Sequence, residues 1–170
     1  MTVKITGNNV RVEDGIFHMS GSVLVQAETS VIGPSRIAVS ANTPTALGFN
    51  ISFTPRYANS TIFFMGNLQV TKQGVITYEV RRDGEKIGVN ISTNTNSYGT
   101  DPQMVYYIGS NSDARPYLMP FMYFESAGGT QTRTYDIYLT THSGTTYVND
   151  RDNNDMAGFS HLYVMEFAPE

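Results

Sequence analysis

Gly158-Phe159-Ser160-His161-Leu162-Tyr163-Val164-Met165-Glu166-Phe167-Ala168-Pro169 is a strand-like run with apolar residues on both faces. Strand side chains alternate sides, so Phe159, Tyr163, Met165 and Phe167 point one way and Leu162 and Val164 the other. A strand with water on one face is polar there, so this one reads as covered on both. That predicts a central place in a sandwich, or a surface buried by other copies of the chain.

Outward from this stretch the signals are almost all β. Leu47, Phe49, Ile51 and Phe53 alternate onto one face. Thr61 to Lys72 follows, with Ile62, Phe64, Leu68 and Val70 on one side and Phe63 and Met65 opposite. Val75 to Arg81 and Lys86 to Ile91 flank Arg82-Asp83-Gly84-Glu85, and Asp-Gly tolerates the positive φ of a tight hairpin turn. Ile76, Tyr78 and Val80 then share a face with Ile87, Val89 and Ile91. Met104 to Ile108, Tyr117 to Phe124, Gln131 to Thr141 and Tyr147-Val148 are further strand pieces, and Pro120 marks an edge or a bulge. No segment sustains a helical period. Turn punctuation every ten or so residues predicts an all-β chain, an antiparallel β-sandwich or jelly roll.

The organisation expected is a head domain over 47–170 and two segments before it. Residues 1–30 read as short strands cut by turns at Gly7-Asn8-Asn9, Asp14-Gly15 and Ser20-Gly21-Ser22. Pieces this short are marginal alone, so they either lie on the head or pair with other chains. Residues 31–46, with Pro34 and Pro44 among Ser, Ala, Asn and Thr, read as a linker.

Composition narrows the function classes. The chain has 170 residues, enough for one domain with an extension, and 40% hydrophobic residues, enough for a core. Net charge is -4 and the lysines are only Lys4, Lys72 and Lys86, which argues against nucleic acid as a partner. There are no cysteines, hence no disulfide, thiolate metal site or Cys nucleophile. No stretch is apolar enough to span a membrane, and Met1 to Asn9 lacks a signal-peptide core. The expectation is synthesis in a cytoplasm, with any surface role reached by assembly into a particle.

Catalytic constellations are absent from the reading. His18, His142 and His161 lie far apart without ligand spacing, and no nucleophile elbow, phosphate loop or dinucleotide fingerprint occurs. Glu79, Glu125 and Asp136 could meet in space, but strand-face charges are ordinarily solvated. Asp150, Asp152 and Asn154 alternate like the opening of a calcium loop. Asp155 and His161 stand where its glycine and closing glutamate belong, so the run reads as a polar loop with no metal or cofactor. Asn94, Asn96, Tyr98, Tyr106, Tyr107 and Tyr147 suit stacking on sugars and hydrogen-bonding their hydroxyls, and form a weak candidate ligand site.

Tyr117 to Phe124 repeats the pattern of the opening run. Tyr117, Met119, Phe121 and Tyr123 oppose Leu118, Met122 and Phe124. Two segments apolar on both faces need two coverings, and a sandwich covers only inner faces. Tyr117, Met119, Phe121 and Tyr123, with Phe159, Tyr163, Met165 and Phe167, are therefore the expected oligomer interface.

The hairpin Tyr78-Glu79-Val80-Arg81-Arg82-Asp83-Gly84-Glu85-Lys86-Ile87-Gly88, the Tyr-rich strands after it and the closing Ser160-His161-Leu162-Tyr163-Val164-Met165-Glu166-Phe167-Ala168 resemble the C1q/TNF-like jelly-roll heads of bacteriophage fibre and tail proteins. The resemblance covers roughly 47–170. It implies a homotrimer at a virion surface, a non-enzymatic head that binds a host-surface glycan or protein or caps a fibre. Residues 1–30 would then be the shaft or the attachment to other virion proteins. The alternative is a structural decoration or assembly protein with no external ligand.

Overall fold

The computed structural model describes residues 3–5, 10–13, 16–19, 22–71, 74–87, 104–108, 116–150 and 158–169. Among them there is no helix. The strands are β1 (Val3–Ile5), β2 (Val10–Glu13), β3 (Ile16–Met19), β4 (Ser22–Ile32), β5 (Ile37–Ser40), β6 (Thr45–Ala46), β7 (Ile51–Phe53) and β8 (Thr61–Thr71). Then come β9 (Gly74–Arg82), β10 (Glu85–Lys86), β11 (Met104–Ile108), β12 (Pro116–Ser126), β13 (Arg133–Thr141), β14 (Thr145–Val148) and β15 (Ser160–Pro169).

They form two antiparallel sheets. The nine-stranded sheet runs β1-β2-β3-β4-β15-β8-β14-β5, with β12 on the free side of β8. The six-stranded sheet runs β10-β9-β13-β6, with β11 on β9 and β7 on β13. The chain changes sheet after β5, β7, β8, β11, β12 and β13, so successive segments are tied across the core. This is an antiparallel sandwich of jelly-roll type, one of the two architectures that the strand spacing predicts and the one that the resemblance implies.

The core lies between the sheets. Ile62, Phe64, Leu68 and Val70 of β8, Leu162 and Val164 of β15, and Met119 and Phe121 of β12 meet Ile76, Tyr78 and Val80 of β9 and Tyr135, Ile137 and Leu139 of β13. Aromatic pairs cross the gap: the Phe64 and Tyr135 rings are 4.8 Å apart, and Tyr78 and Phe121 5.4 Å. The expected hairpin forms at Asp83 (φ 53°) and Gly84 (φ 86°), with Glu85 opposite Arg82. Ile87 is buried beside Val80, while Val89 and Ile91 lie outside the described residues.

The expected segment boundaries cut through this architecture. β4 runs from 22 to 32 and pairs β15 along its length, with a register shift between Glu166 and Phe167. The stretch read as a linker, 31–46, holds the end of β4 together with β5 and β6, which pair β14 and β13. Pro34 and Pro44 stand in turns between these strands, where no ladder amide is needed. Upstream, β1 to β3 form a meander that joins β4 at Ser22 and Val23.

Two buried carboxylates fix the irregular segments. Glu166 accepts from the Arg56 and Tyr57 amides at 2.9 Å, from the Ser60 hydroxyl at 2.7 Å and from Gln26 Nε2 at 2.7 Å. Burial pushes its pKa up, but these donors outweigh burial and hold it below the usual glutamate value. Asp136 accepts from the Phe49 amide at 3.0 Å and the Gly48 amide at 3.3 Å, which holds Leu47 to Asn50 against β13. At Asp136 burial wins over the same kind of hydrogen bond, and the pKa is raised.

Candidate assembly face

The two sheets differ on their outer faces. In the six-stranded sheet the outward residues are polar: Thr77, Glu79 and Arg81 on β9 stand beside Thr140, Tyr138 and Asp136 on β13. Glu79 takes ion pairs from Arg81 and, at 3.3 Å, from Lys86, and the Arg81 guanidinium lies 3.9 Å over the Tyr138 ring. This is a polar-out alternation, with Glu79, Arg81, Tyr138 and Thr140 half-buried and Thr77 and Asp136 buried.

The nine-stranded sheet departs from that rule. Register places Phe124 of β12, Phe63 of β8 and Met165 of β15 in one cross-strand row. The next row is Met122, Met65 and Tyr163, and the one beyond it is Pro120, Asn67 and His161. Phe167 follows at the other end, its ring edge-on to Phe63 at 6.4 Å. β4 extends the rows with Ala27, Thr29 and Val31. None of these positions carries Asp, Glu, Lys or Arg. Leu118, Met122, Phe124, Met65, Tyr163, Phe159 and Val31 are exposed.

The expected interface divides between the two faces of the sheet. On β15 the inward side is Leu162, Val164 and Glu166, all fully buried, and Phe159, Tyr163, Met165 and Phe167 stand on or beside the outward side. On β12 the expected set turns inward instead. Met119 and Phe121 are buried in the chain's own core, with Tyr117 and Tyr123 packed against it. The apolar residues of β12 that remain outside are Leu118, Met122 and Phe124, on the opposite face of the strand. Pro120 lies on an edge strand: β8 is its neighbour, and no described strand pairs with the other side of β12.

The candidate ligand residues are spread over both sheets. Asn94, Asn96 and Tyr98 lie outside the described residues. Tyr106 and Tyr107 belong to β11 in the six-stranded sheet, opposite Ile76 and Val75. Tyr147 belongs to β14 in the nine-stranded one, half-buried with the Arg36 guanidinium 4.9 Å over its ring.

The three carboxylates considered for joint chemistry stand in separate networks. Glu79 serves Arg81 and Lys86, and Asp136 serves backbone amides. Glu125 bridges the sheets, held by Arg82 at 2.8 Å and by the Tyr135 hydroxyl at 2.9 Å. Burial, with the Glu125 charge behind it, pushes the Tyr135 hydroxyl well above an ordinary phenol. Among the described residues no group of three His, Asp or Glu could hold a metal. The supposed calcium-loop run contributes Asp150, whose carbonyl accepts from Thr71; residues 151–155 lie outside the described residues.

A feature invisible in the sequence is the polar knot behind the face. The Ser160 hydroxyl donates to Asn149 Oδ1 at 2.7 Å, Asn149 Nδ2 donates to the Ile32 carbonyl at 3.1 Å, and the Gln69 amide donates to Ser160 Oγ at 3.0 Å. It ties β4, β8, β14 and β15 together, which holds the outward side chains of β8 and β15 in fixed positions.

No protein-family model matches the chain, and no curated protein matches it in sequence. Among solved structures, it is similar to a chain of infectious bursal virus derived T=1 particles, at TM-score 0.41 and 11% identity over 99% of this chain and 45% of that one. It is also similar to a chain of the infectious bursal disease virus VP2 subviral particle, at TM-score 0.37 and 11% identity over 99% and 47%. The chain thus spans less than half the length of these structures.

Proposed function

We propose that the chain is a structural subunit of a virion, a jelly-roll head that assembles with its own copies as a homotrimer. The observation that carries this reading is the contrast between the two sheets: one outer face is polar and ion-paired, the other apolar and without charge. A soluble sandwich has no use for an apolar outer face unless something covers it. The resemblance of the hairpin and closing strand to phage fibre and tail heads supports a location on a virion appendage. The meander of β1 to β3 is then the segment that meets other virion proteins. Recognition of a host-surface glycan or protein rests on the same resemblance and on the Tyr- and Asn-rich loops. The described geometry favours assembly over recognition.

Light scattering on the purified chain tests the reading. The expected mass is three times 18.8 kDa. A chain that stays at 18.8 kDa at every concentration would overturn it. Removal of residues 1–21, which leaves β4 whole, should keep that mass and abolish incorporation into particles. Glycan-array or whole-cell binding by the head would promote recognition to the primary role.

A further inference from the structure

We infer that the outer face of β12, β8 and β15 is buried by a second copy of this chain, with Leu118, Met122 and Phe124 of the edge strand contributing beside Met65 and Tyr163. This rests on the reading of the chain as an assembling subunit and names the surface and the partner. Leu118 is 66% exposed, Met122 70%, Phe124 68%, Met65 42% and Tyr163 40%. Val31 and Phe159, each 50% exposed, stand at the margin. Taking such residues at roughly 200 Å² when bare, these seven leave on the order of 700 Å² of exposed, mostly apolar surface. That exceeds the ~300–600 Å² of the largest patch on an ordinary monomer and approaches the ~800 Å² per partner of a stable protein interface.

The occupant follows from chemistry. With no Lys or Arg in the rows, the face has nothing to hold an anionic lipid surface, and with no charge of either sign it offers no complement to a charged protein. A second uncharged face of the same Met, Phe and Tyr composition meets it without placing a charge against apolar surface. Methionine and aromatic residues are those enriched at the centres of interfaces, and methionine adapts its shape to an imperfect match. The copies so joined bury side chains that the fold itself leaves outside.

The double variant Met122→Glu/Phe124→Glu tests this. Both positions are exposed and point away from the core, so the fold should survive, read by circular dichroism and a cooperative melt. The mass by light scattering should fall from that of the oligomer to 18.8 kDa. The control Thr140→Glu, on the polar face of the other sheet, should leave it unchanged. Since the chain has no cysteine, Met122→Cys supplies a second measurement that does not depend on charge. In the oligomer its reaction with a maleimide should be markedly slower than that of the control Thr134→Cys, on the exposed side of β13. An oligomer whose mass survives the double variant, or whose Met122→Cys reacts as fast as the control, overturns the inference and leaves the structural-subunit reading standing. Such a result assigns the face to a segment of the same chain or to a different virion protein. A wild-type monomer removes both readings at once.

Discussion

Gln26 and Glu166 are 140 residues apart in sequence, yet Gln26 Nε2 donates to Glu166 Oε2 across 2.7 Å. The same amide group donates to the Thr54 carbonyl at 2.7 Å. A buried carboxylate on β15 thus gathers β4 and the segment that leads into β8.

Glu166→Ala should cost about 3 kcal/mol or more, because it strands the Arg56 and Tyr57 amides and the Ser60 hydroxyl in a buried place. Urea unfolding reads the loss. The pH dependence has a definite sign. The folded pKa is depressed, so this contribution is complete above the ordinary glutamate value of about 4.3 and disappears as pH falls toward the folded value. Asp136 acts in the opposite sense. Its folded pKa is raised, so the folded state gains relative stability as pH falls through that raised value toward about 3.9. In Glu166→Gln the acid loss below about pH 4.3 should be absent, with the Asp136 gain left visible. An unchanged acid limb would count against the carboxylate as the anchor.

Thr146→Val should stabilise the fold. Thr146 is fully buried on β14, and its hydroxyl finds no hydrogen-bond partner. Replacing the hydroxyl with a methyl removes an unsatisfied polar group at nearly equal volume, worth about 1 kcal/mol. For a chain of this size that is roughly 2–4 °C in melting temperature. A lower melting temperature would mean that the hydroxyl has a partner after all.

Gly66→Ala should destabilise by about 1–3 kcal/mol or more. A methyl group at this position in β8 would meet the His161 carbonyl oxygen and stand 2.7 Å from Phe121 Cζ. Phe121 faces Gly66 across the β12–β8 ladder, so the ring occupies the space that the missing side chain leaves. The melt of the variant, compared with that of Gly84→Ala, where nothing lies within 4 Å but φ is 86°, separates crowding from backbone strain.

Neighbouring residues of β15 should answer different assays. Val164→Ala opens a hole in the core and should cost about 2 kcal/mol in urea unfolding with little effect on assembly. Tyr163→Ser should leave the unfolding of the isolated subunit nearly unchanged and lower the affinity between copies. If the two variants exchanged these phenotypes, inside and outside on this strand would be reversed.

Much of the sandwich is legible in local pattern. Asp83-Gly84 carries its turn in two residues, and Leu47, Phe49, Ile51 and Phe53 reach the core through a period of two, despite the positive φ of Gly48 and Asn50 between them. The same period cannot say which face of Tyr117 to Phe124 is inside when both are apolar, because a strand turned over has an equally good pattern. What decides it is Phe121 fitting over Gly66 and Met119 lying opposite Leu68, relations some fifty residues apart. The stretch 31–46 read as a linker because ladder hydrogen bonds belong to the backbone and leave little mark on Ser, Ala and Thr. The Glu166 anchor was hidden because its amide donors lie 109 and 110 residues away, in a loop with no sequence signature. The apolar outer face follows from both halves of this: the alternation supplies candidates, and long-range register selects which of them remain outside.

Pro120 sits midway along β12, at the margin of the nine-stranded sheet. It has no amide hydrogen to offer an arriving strand. Growth of the ladder along this margin is therefore weakened at mid-strand. On the assembly reading, copies meet on this side by the fit of Leu118, Met122 and Phe124, and fit is exhausted once the matching surface is occupied. If the face assembles as proposed, the strand that recruits through its side chains offers little through its backbone, and on that side a closed cluster of subunits is favoured over an endless ribbon.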